Sequence, residues 1–118
     1  MQFNFILEDL TKKAGARGAI MLDSDGEIVA SHSETPSLDI DLIGAHHGIV
    51  LDIIKDASTR SSLTGVKTVS ITTDRSRLAI STLKEGYYLL LAMARSTPMG
   101  KALFESRMAV ERLEEEMG

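Results

Sequence analysis

The sequence predicts an α+β domain in which helices pack on an antiparallel β-sheet. Apolar residues recur at helical spacing near both ends and in the middle of the chain, and five short strand-like runs lie between these segments. Polar connectors that contain Gly or Asp join neighbouring runs, which indicates antiparallel hairpins. The predicted order is helix, strand, strand, helix, strand, strand, strand, helix.

The first predicted helix covers residues 3 to 14. Its apolar residues are spaced by three and four, and Gly15 follows as a stop signal. Phe5 lies off this apolar stripe. A helix with one apolar face is expected to pack on the sheet through that face.

Two strands are predicted next, at residues 18 to 23 and from Ile28 to His32. The pair Asp25-Gly26 between them is typical of a hairpin turn, because Gly tolerates positive φ. Asp23 and Asp25 resemble the start of a calcium loop, but the closing Glu is missing at the required position. We therefore interpret this segment as a turn.

The long middle helix is predicted over residues 38 to 59, with Pro36 suited to its first turn. Its apolar side spans an arc of roughly 200°, whereas a helix on one sheet needs only about 100°. The surplus apolar surface predicts a second partner for this helix. The residues of the arc are Ile40, Leu42, Ile43, His46, His47, Ile49, Val50, Leu51, Ile53, Ile54 and Ala57.

Three further strands are predicted at residues 66 to 73, 77 to 83 and 87 to 94. The last of these is apolar at every position, as are residues 19 to 22, so these two strands should be central with both faces covered. The segment 66 to 73 instead alternates Lys67, Val69 and Ile71 with Val66, Thr68, Ser70 and Thr72, and we interpret it as an edge strand.

The final helix is predicted to begin at Thr97-Pro98, in the order of cap and then proline. Arg112 and Glu116 are spaced as an i,i+4 ion pair on its solvated side. Its apolar face consists of Met99, Ala102, Leu103, Val110, Leu113 and Met117.

Composition and charge exclude several classes of function. The 118 residues are 43% apolar and 25% charged, which fits one globular domain spanning residues 1–118. The chain has no cysteine, no signal-peptide pattern and no apolar run long enough to cross a bilayer, so we expect a cytoplasmic protein without membrane insertion. The net charge is −4 and the basic residues are scattered, which argues against nucleic-acid binding.

No catalytic or cofactor-binding pattern is evident. His46 and His47 are adjacent, so on a helix they point about 100° apart and cannot share a metal ion. His32 has no partner that the sequence identifies. We find neither a phosphate loop nor a Ser-His-Asp set, and we expect neither enzymatic activity nor a bound cofactor or metal.

The whole chain resembles the roadblock (dynein light chain) family. The resemblance rests on the hairpin Gly18-Ala-Ile-Met-Leu-Asp23 with Asp25-Gly26-Glu-Ile-Val-Ala30-Ser31, on the long helix, on residues 68 to 94, and on the complete element order. It implies a profilin-like, five-stranded antiparallel sheet of order 2-1-5-4-3. The middle helix would cover one face, and the N- and C-terminal helices would cover the other.

The resemblance also implies a homodimer that pairs through the middle helix and the third strand. Such dimers bind small Ras-like GTPases, in some bacterial members as GTPase activators, or they anchor motor and signalling complexes. None of the seven arginines stands in a motif that marks an arginine finger, so both activation and simple localisation of a GTPase stay open. The predicted dimer-interface residues are Leu42, His46, Ile49, Val50, Ile53, Ile54, Thr68 and Ser70.

The polar stripe of the middle helix is the predicted partner-binding surface. Gly44 and Gly48 have the spacing that permits close helix approach, and two glycines inside a helix call for a compensating contact. Two alternatives are an adaptor for motor or signalling proteins without a GTPase, and a small-ligand sensor. The strands offer few convergent polar groups for such a ligand. The stripe consists of Asp41, Gly44, Gly48, Asp52 and Lys55.

Overall fold

The structure, a computed structural model, describes residues 2–34, 68–72 and 76–118, which contain two α-helices and five strands. The predicted middle helix lies outside these residues. The elements are α1 (Phe3–Ala14), β1 (Gly18–Leu22), β2 (Ile28–Ser33), β3 (Thr68–Thr72), β4 (Arg77–Thr82), β5 (Tyr88–Met93) and α2 (Met99–Met117).

The strands form one antiparallel sheet in the order β2-β1-β5-β4-β3. This is the order that the resemblance implies. The strands β1 and β5 lie inside the sheet, as their continuous apolar sequences predict, and they are buried along almost their whole length. The strand β3 lies at one edge and β2 at the other.

Both terminal helices pack on one face of the sheet, as predicted. The helix α1 contacts α2, β1 and β2, whereas α2 contacts α1 and β4. On this face Leu91 lies between Ala19 and Ala79 in one cross-strand row, so a large side chain is flanked by two small ones. The core on this face consists of Ile6, Leu7, Leu10, Ala14, Ala19, Met21, Ala30, Ala79, Leu83, Leu89, Leu91, Met93, Ala102, Ala109 and Leu113.

The opposite face of the sheet is buried as well. Ile20, Leu90 and Ile80 form a cross-strand row on that face, and each is at most 2% exposed. Strands with two buried faces have no solvated positions that would require polar residues, which explains the uninterrupted apolar sequence of β5. The prediction that the middle helix covers this face falls on residues outside the described part.

The C-terminus of α1 and the N-terminus of α2 lie at or within one residue of the positions that the local sequence predicts. Gly15 adopts φ 65° after α1, and the amides of Gly15 and Ala16 donate to the carbonyls of Lys12 and Thr11, which is a Schellman cap. The helix α2 begins at Met99, one residue later than the cap-then-proline pattern predicts. The reason is that Pro98 has an extended ψ of 124° and itself occupies the N-cap position.

The connection between β4 and β5 requires left-handed backbone. Glu85 and Gly86 have φ values of 62° and 79°, and Tyr87 N–H donates to the Lys84 carbonyl, as in a type I′ turn. A Cβ atom at Gly86 would lie 3.2 Å from the Cβ of Ser24. Gly86 is therefore favoured for two reasons: its φ is positive, and a side chain there would crowd Ser24.

Gly86→Ala is expected to lower the free energy of unfolding by about 1–2 kcal/mol, because alanine is strained at positive φ. Gly100→Ala is the matched control: this glycine lies in α2, and a Cβ atom added to it would have no heavy atom within 4 Å. There alanine is expected to raise stability by up to about 1 kcal/mol through helix propensity. Urea unfolding measures both, and a shift of the two midpoints in the same direction would contradict the assignment.

Candidate protein-interaction surfaces

The structure places two of the predicted dimer-interface residues, Thr68 and Ser70, on the edge strand β3. The other predicted residues of the dimer interface and of the partner-binding stripe lie outside the described residues. They are Leu42, His46, Ile49, Val50, Ile53 and Ile54 of the interface, and Asp41, Gly44, Gly48, Asp52 and Lys55 of the stripe.

Hydrogen bonds near the ends of β4 and β5 show which way the main chain of β4 faces. Leu83 N–H donates to the Tyr87 carbonyl at 2.8 Å, so the amide of Leu83 faces β5. Amides alternate in direction along a strand, and residues 77, 79 and 81 therefore also face β5, whereas residues 78, 80 and 82 face β3. Arg17 N–H donates to the Ala92 carbonyl at 2.8 Å, so the main chain of Ala92 faces β1. Residues 91 and 93 of β5 therefore face β4, where they lie opposite residues 79 and 77, and this agrees with the alternation in β4.

The same alternation fixes the direction of each main-chain group in β3. Val69 lies opposite Ile80 and Ile71 lies opposite Leu78, so Val69 and Ile71 exchange hydrogen bonds with β4. The amides and carbonyls of Thr68, Ser70 and Thr72 point away from β4. No other strand within residues 2–34, 68–72 and 76–118 pairs with this outer edge.

Because no strand of the described residues pairs with it, the outer edge of β3 is a candidate surface for strand addition. Ser70 and Thr72 are exposed, and their small hydroxyl side chains leave room for a neighbouring strand. An edge strand without a charge or a bulge at its centre offers a template for pairing with another chain. We refer to the outward main-chain groups of Thr68, Ser70 and Thr72 as the β3 edge.

The opposite edge of the sheet differs from the β3 edge. Leu22 lies opposite Ile28 while Met21 lies opposite Ala30, so Val29 is an extra residue in a β-bulge. Bulges twist an edge strand and interrupt the row of groups that a second strand would need. The β2 edge is thus protected against strand addition by a feature that β3 lacks.

The β1–β2 hairpin uses its acidic residues to form the turn. The Asp23 carboxylate accepts hydrogen bonds from the amides of Asp25 and Glu27 at 2.9 and 3.0 Å, and Gly26 has φ 85°. This supports the turn interpretation of the segment. His32, for which the sequence identified no partner, has its Nε2 atom 2.6 Å from a carboxylate oxygen of Glu34.

A second candidate surface, which exposes apolar side chains, lies where α1 and α2 meet. The exposed fractions of Phe5, Phe104 and Met108 are 57%, 59% and 43%. A shallow groove beside them, about 170 Å³ in volume, is lined by residues of both helices, including Leu10 and Arg112. The position of Phe5 off the apolar stripe of α1 was a sequence signal for this surface, and Phe104 and Met108 likewise lie outside the predicted apolar face of the final helix.

An ion-pair cluster joins the two helices beside this groove. Arg112 Nη1 lies 2.7 Å from Asp9 Oδ2, and Lys13 Nζ lies 3.0 Å from the same oxygen. The guanidinium carbon of Arg112 lies 5.9 Å from the centroid of the Phe5 ring. The i,i+4 spacing predicted Glu116 as the partner of Arg112, but the ion pair crosses to α1 because Asp9 faces Arg112 across the helix contact.

The hydrogen bonds from Lys13 and Arg112 lower the pKa of Asp9 below its ordinary value. A lowered folded-state pKa adds stability above the unfolded-state pKa, and this stability is lost as the pH falls through the folded-state value. Asp9→Asn is therefore expected to cost about 0.5–1 kcal/mol at neutral pH, as partly exposed ion pairs do. The difference from the unmodified chain should disappear in acid; thermal unfolding between pH 7 and pH 2 tests this, and a difference independent of pH would contradict it.

The described residues contain no cluster of three or more His, Cys, Asp or Glu side chains placed to hold a metal ion. No helix among them is long and apolar enough to span a membrane.

The sheet order β2-β1-β5-β4-β3 and the placement of both terminal helices on one face define an α+β domain with the roadblock fold. The Roadblock/LC7 domain matches residues 2–93, and the chain belongs to this family. No curated protein sequence is similar enough to count as a match.

Solved structures share this fold at low sequence identity. The gliding protein MglB of Thermus thermophilus is 20% identical, with a TM-score of 0.83 over 97% of this chain and 87% of that one. A structure described as MglB with a tetrameric arrangement is 20% identical, with a TM-score of 0.84 over 97% and 86%. MglC of Myxococcus xanthus is 21% identical, with a TM-score of 0.73 over 98% and 99%.

Proposed function

We propose that this protein is a homodimeric scaffold that binds and regulates a small Ras-like GTPase, without enzymatic activity or a cofactor of its own. The observation that supports the dimer is the β3 edge: the main-chain groups of three residues point outward, and no strand among the described residues pairs with them. Pairing with a second copy would satisfy these groups and extend two sheets into one.

The wide apolar arc predicted for the middle helix supports the same proposal. One sheet face accounts for about half of a 200° arc, and a second copy would cover the remainder. A contact that joins helix to helix and strand to strand is expected to bury on the order of 1,600 Å² in total. Sedimentation at micromolar concentration tests the dimer, and a compact monomer would overturn it.

The GTPase as partner class is supported by family membership and by the fold shared with a gliding protein. This chain resembles a family whose bacterial members accompany the GTPases of polarity and gliding motility. The stripe Asp41, Gly44, Gly48, Asp52 and Lys55 is the proposed contact surface. It is narrow, mixed in charge and flanked by apolar residues, which resembles the make-up of a transient interface.

An adaptor that joins motor or signalling proteins without a GTPase is the second candidate. The surface around Phe5, Phe104 and Met108 favours it, because these apolar side chains are exposed on the helices α1 and α2, which cover the sheet face opposite the row of Ile20 and Leu90. An adaptor needs two separate contact surfaces, and the α1–α2 surface would supply the second one.

Reversing both charges of the stripe, with Asp52→Lys and Lys55→Asp, is expected to weaken GTPase binding by about tenfold or more. The dimer and its melting temperature should stay nearly unchanged, because exposed charges contribute little to folding. Isothermal titration against the Ras-like GTPase of the same cell, loaded with a non-hydrolysable GTP analogue, measures the effect. Equal affinity of the double variant and the unmodified chain would remove the stripe from the proposal.

The matched control is Lys101→Asp together with Glu105→Lys, which reverses two opposite charges spaced i,i+4 on α2. This variant should bind the GTPase as the unmodified chain does. If the unmodified dimer binds neither the GTP-loaded nor the GDP-loaded form, the GTPase proposal fails and the adaptor function takes its place.

A further inference from the structure

The groove beside Phe104 continues into a second groove, so that a longer trough runs between α1 and α2. The second groove has a volume of about 360 Å³, and Phe5, Glu115 and Glu116 line it. Arg112 lines both grooves, and its guanidinium carbon lies over the Phe5 ring. We refer to the two grooves together as the α1–α2 trough. The apolar part of its lining consists of Phe5, Ile6, Leu10, Phe104, Met108 and Ala109.

The walls of the α1–α2 trough suit a helix better than an extended segment. Both walls are helices, whose main-chain amides and carbonyls are bonded within the helix itself. An extended segment in the trough would therefore leave its own main-chain groups without partners. A helix satisfies its main-chain groups internally and binds through the side chains of one face.

The exposed apolar side chains of the trough match the spacing of one helix face. Phe5 lies beside Arg112, whereas Phe104 precedes Arg112 by eight positions on α2, or about 12 Å along the helix axis. Met108 lies halfway between Phe104 and Arg112. Apolar residues at i, i+3 or i+4, and i+7 of a partner helix span about 10 Å, so one helix can contact all three exposed side chains.

The charges of the trough are divided between its centre and its two ends. At the centre, Lys13 and Arg112 share the Asp9 carboxylate. Glu105 lies toward one end, and Glu115 and Glu116 lie at the other. None of these three glutamates forms an ion pair with another of the described residues. The lining thus carries four carboxylates and two cations, a net charge of −2, and its uncompensated charge is acidic at both ends.

We infer that the α1–α2 trough binds an amphipathic helix of a partner protein, with Lys or Arg at both ends of its apolar stripe. The apolar stripe covers Phe5, Phe104 and Met108, and the basic ends lie against Glu105 and against Glu116. A helix with acidic ends would bring like charges together and is disfavoured. This inference goes beyond GTPase binding and requires neither the GTPase nor the homodimer, because each single chain carries the complete trough.

Two synthetic peptides test the chemistry of the partner. Each is about 14 residues long, has leucines at i, i+4 and i+7, and is cross-linked on its outer face because so short a helix is marginal alone. One peptide has two lysines at each end, and the other has two glutamates there. Fluorescence anisotropy with the unmodified chain should show at least tenfold tighter binding of the lysine peptide, and added salt should reduce this difference.

Variants of the chain locate the binding. Phe104→Ala should weaken both peptides by about tenfold, because truncation of an aromatic contact in an interface commonly costs this much. Glu105→Lys should weaken the lysine peptide and strengthen the glutamate peptide. Glu27→Lys is the matched control: it makes the same change of net charge in the exposed turn of the β1–β2 hairpin, outside the trough, and should leave both affinities nearly unchanged.

The possible failures are distinct from those of the proposed GTPase function. Glu105→Lys should leave GTPase binding unchanged, because the proposed GTPase contact is the stripe of the middle helix. Equal affinity for the two peptides, no binding of either, or binding that Phe104→Ala leaves unchanged would overturn the inference. Sedimentation covers the remaining occupant: assembly of the unmodified chain beyond a dimer, abolished by Phe104→Ala, would show that a second copy fills the trough and would also overturn it.

Discussion

Leu91→Ala is expected to lower the free energy of unfolding by about 3–5 kcal/mol, near the upper end for buried leucines. Leu91 lies in the central strand β5 and is fully buried. Its two cross-strand neighbours, Ala19 and Ala79, are already small, so the substitution would place three alanines side by side. Neighbours fixed in a regular sheet cannot move in to fill the cavity, and little of the loss would be recovered.

Chemical unfolding followed by circular dichroism measures this loss, and Met108→Ala is the control. Met108 is 43% exposed, and its truncation should change stability by less than about 1 kcal/mol. If Leu91→Ala costs no more than Met108→Ala, the packing of α1 and α2 on this row is wrong.

Ser70→Pro is expected to weaken self-association by about 100-fold while the fold of the single chain is kept. Proline removes the outward amide of Ser70, so the proposed homodimer would lose one inter-chain hydrogen bond from each copy, each worth about 1 kcal/mol. Its ring also occupies the space of the second strand. The ladder between β3 and β4 stays intact, because Val69 and Ile71 provide it.

Ile71→Pro is the matched variant with the opposite expectation. It removes an amide that faces β4, and this should cost about 1–3 kcal/mol of stability in the single chain. Sedimentation equilibrium gives the dissociation constant, and unfolding at dilutions where both variants are monomeric gives stability. A Ser70→Pro chain that dimerises with unchanged affinity would exclude strand pairing, and equal loss of stability in both variants would contradict the assigned main-chain directions.

The sequence by itself determined those features that depend on neighbouring residues. The helix Phe3–Ala14 follows from apolar spacing and Gly15, and the β1–β2 hairpin follows from Asp25-Gly26. The central position of β5 follows from an apolar run that needs two covered faces. These signals are local, because each reports the periodicity or the turn conformation of a few consecutive residues.

The tertiary structure decided what depends on distant residues. Arg112 and Asp9 are 103 positions apart, and no local spacing relates them. The outward direction of the Ser70 main chain depends on which residue of β4 lies opposite it, and the register of a strand pair is a property of two segments at once. The exposed surface at Phe5 likewise arises only where α1 meets α2, because exposure is fixed by what packs nearby and not by the residue itself.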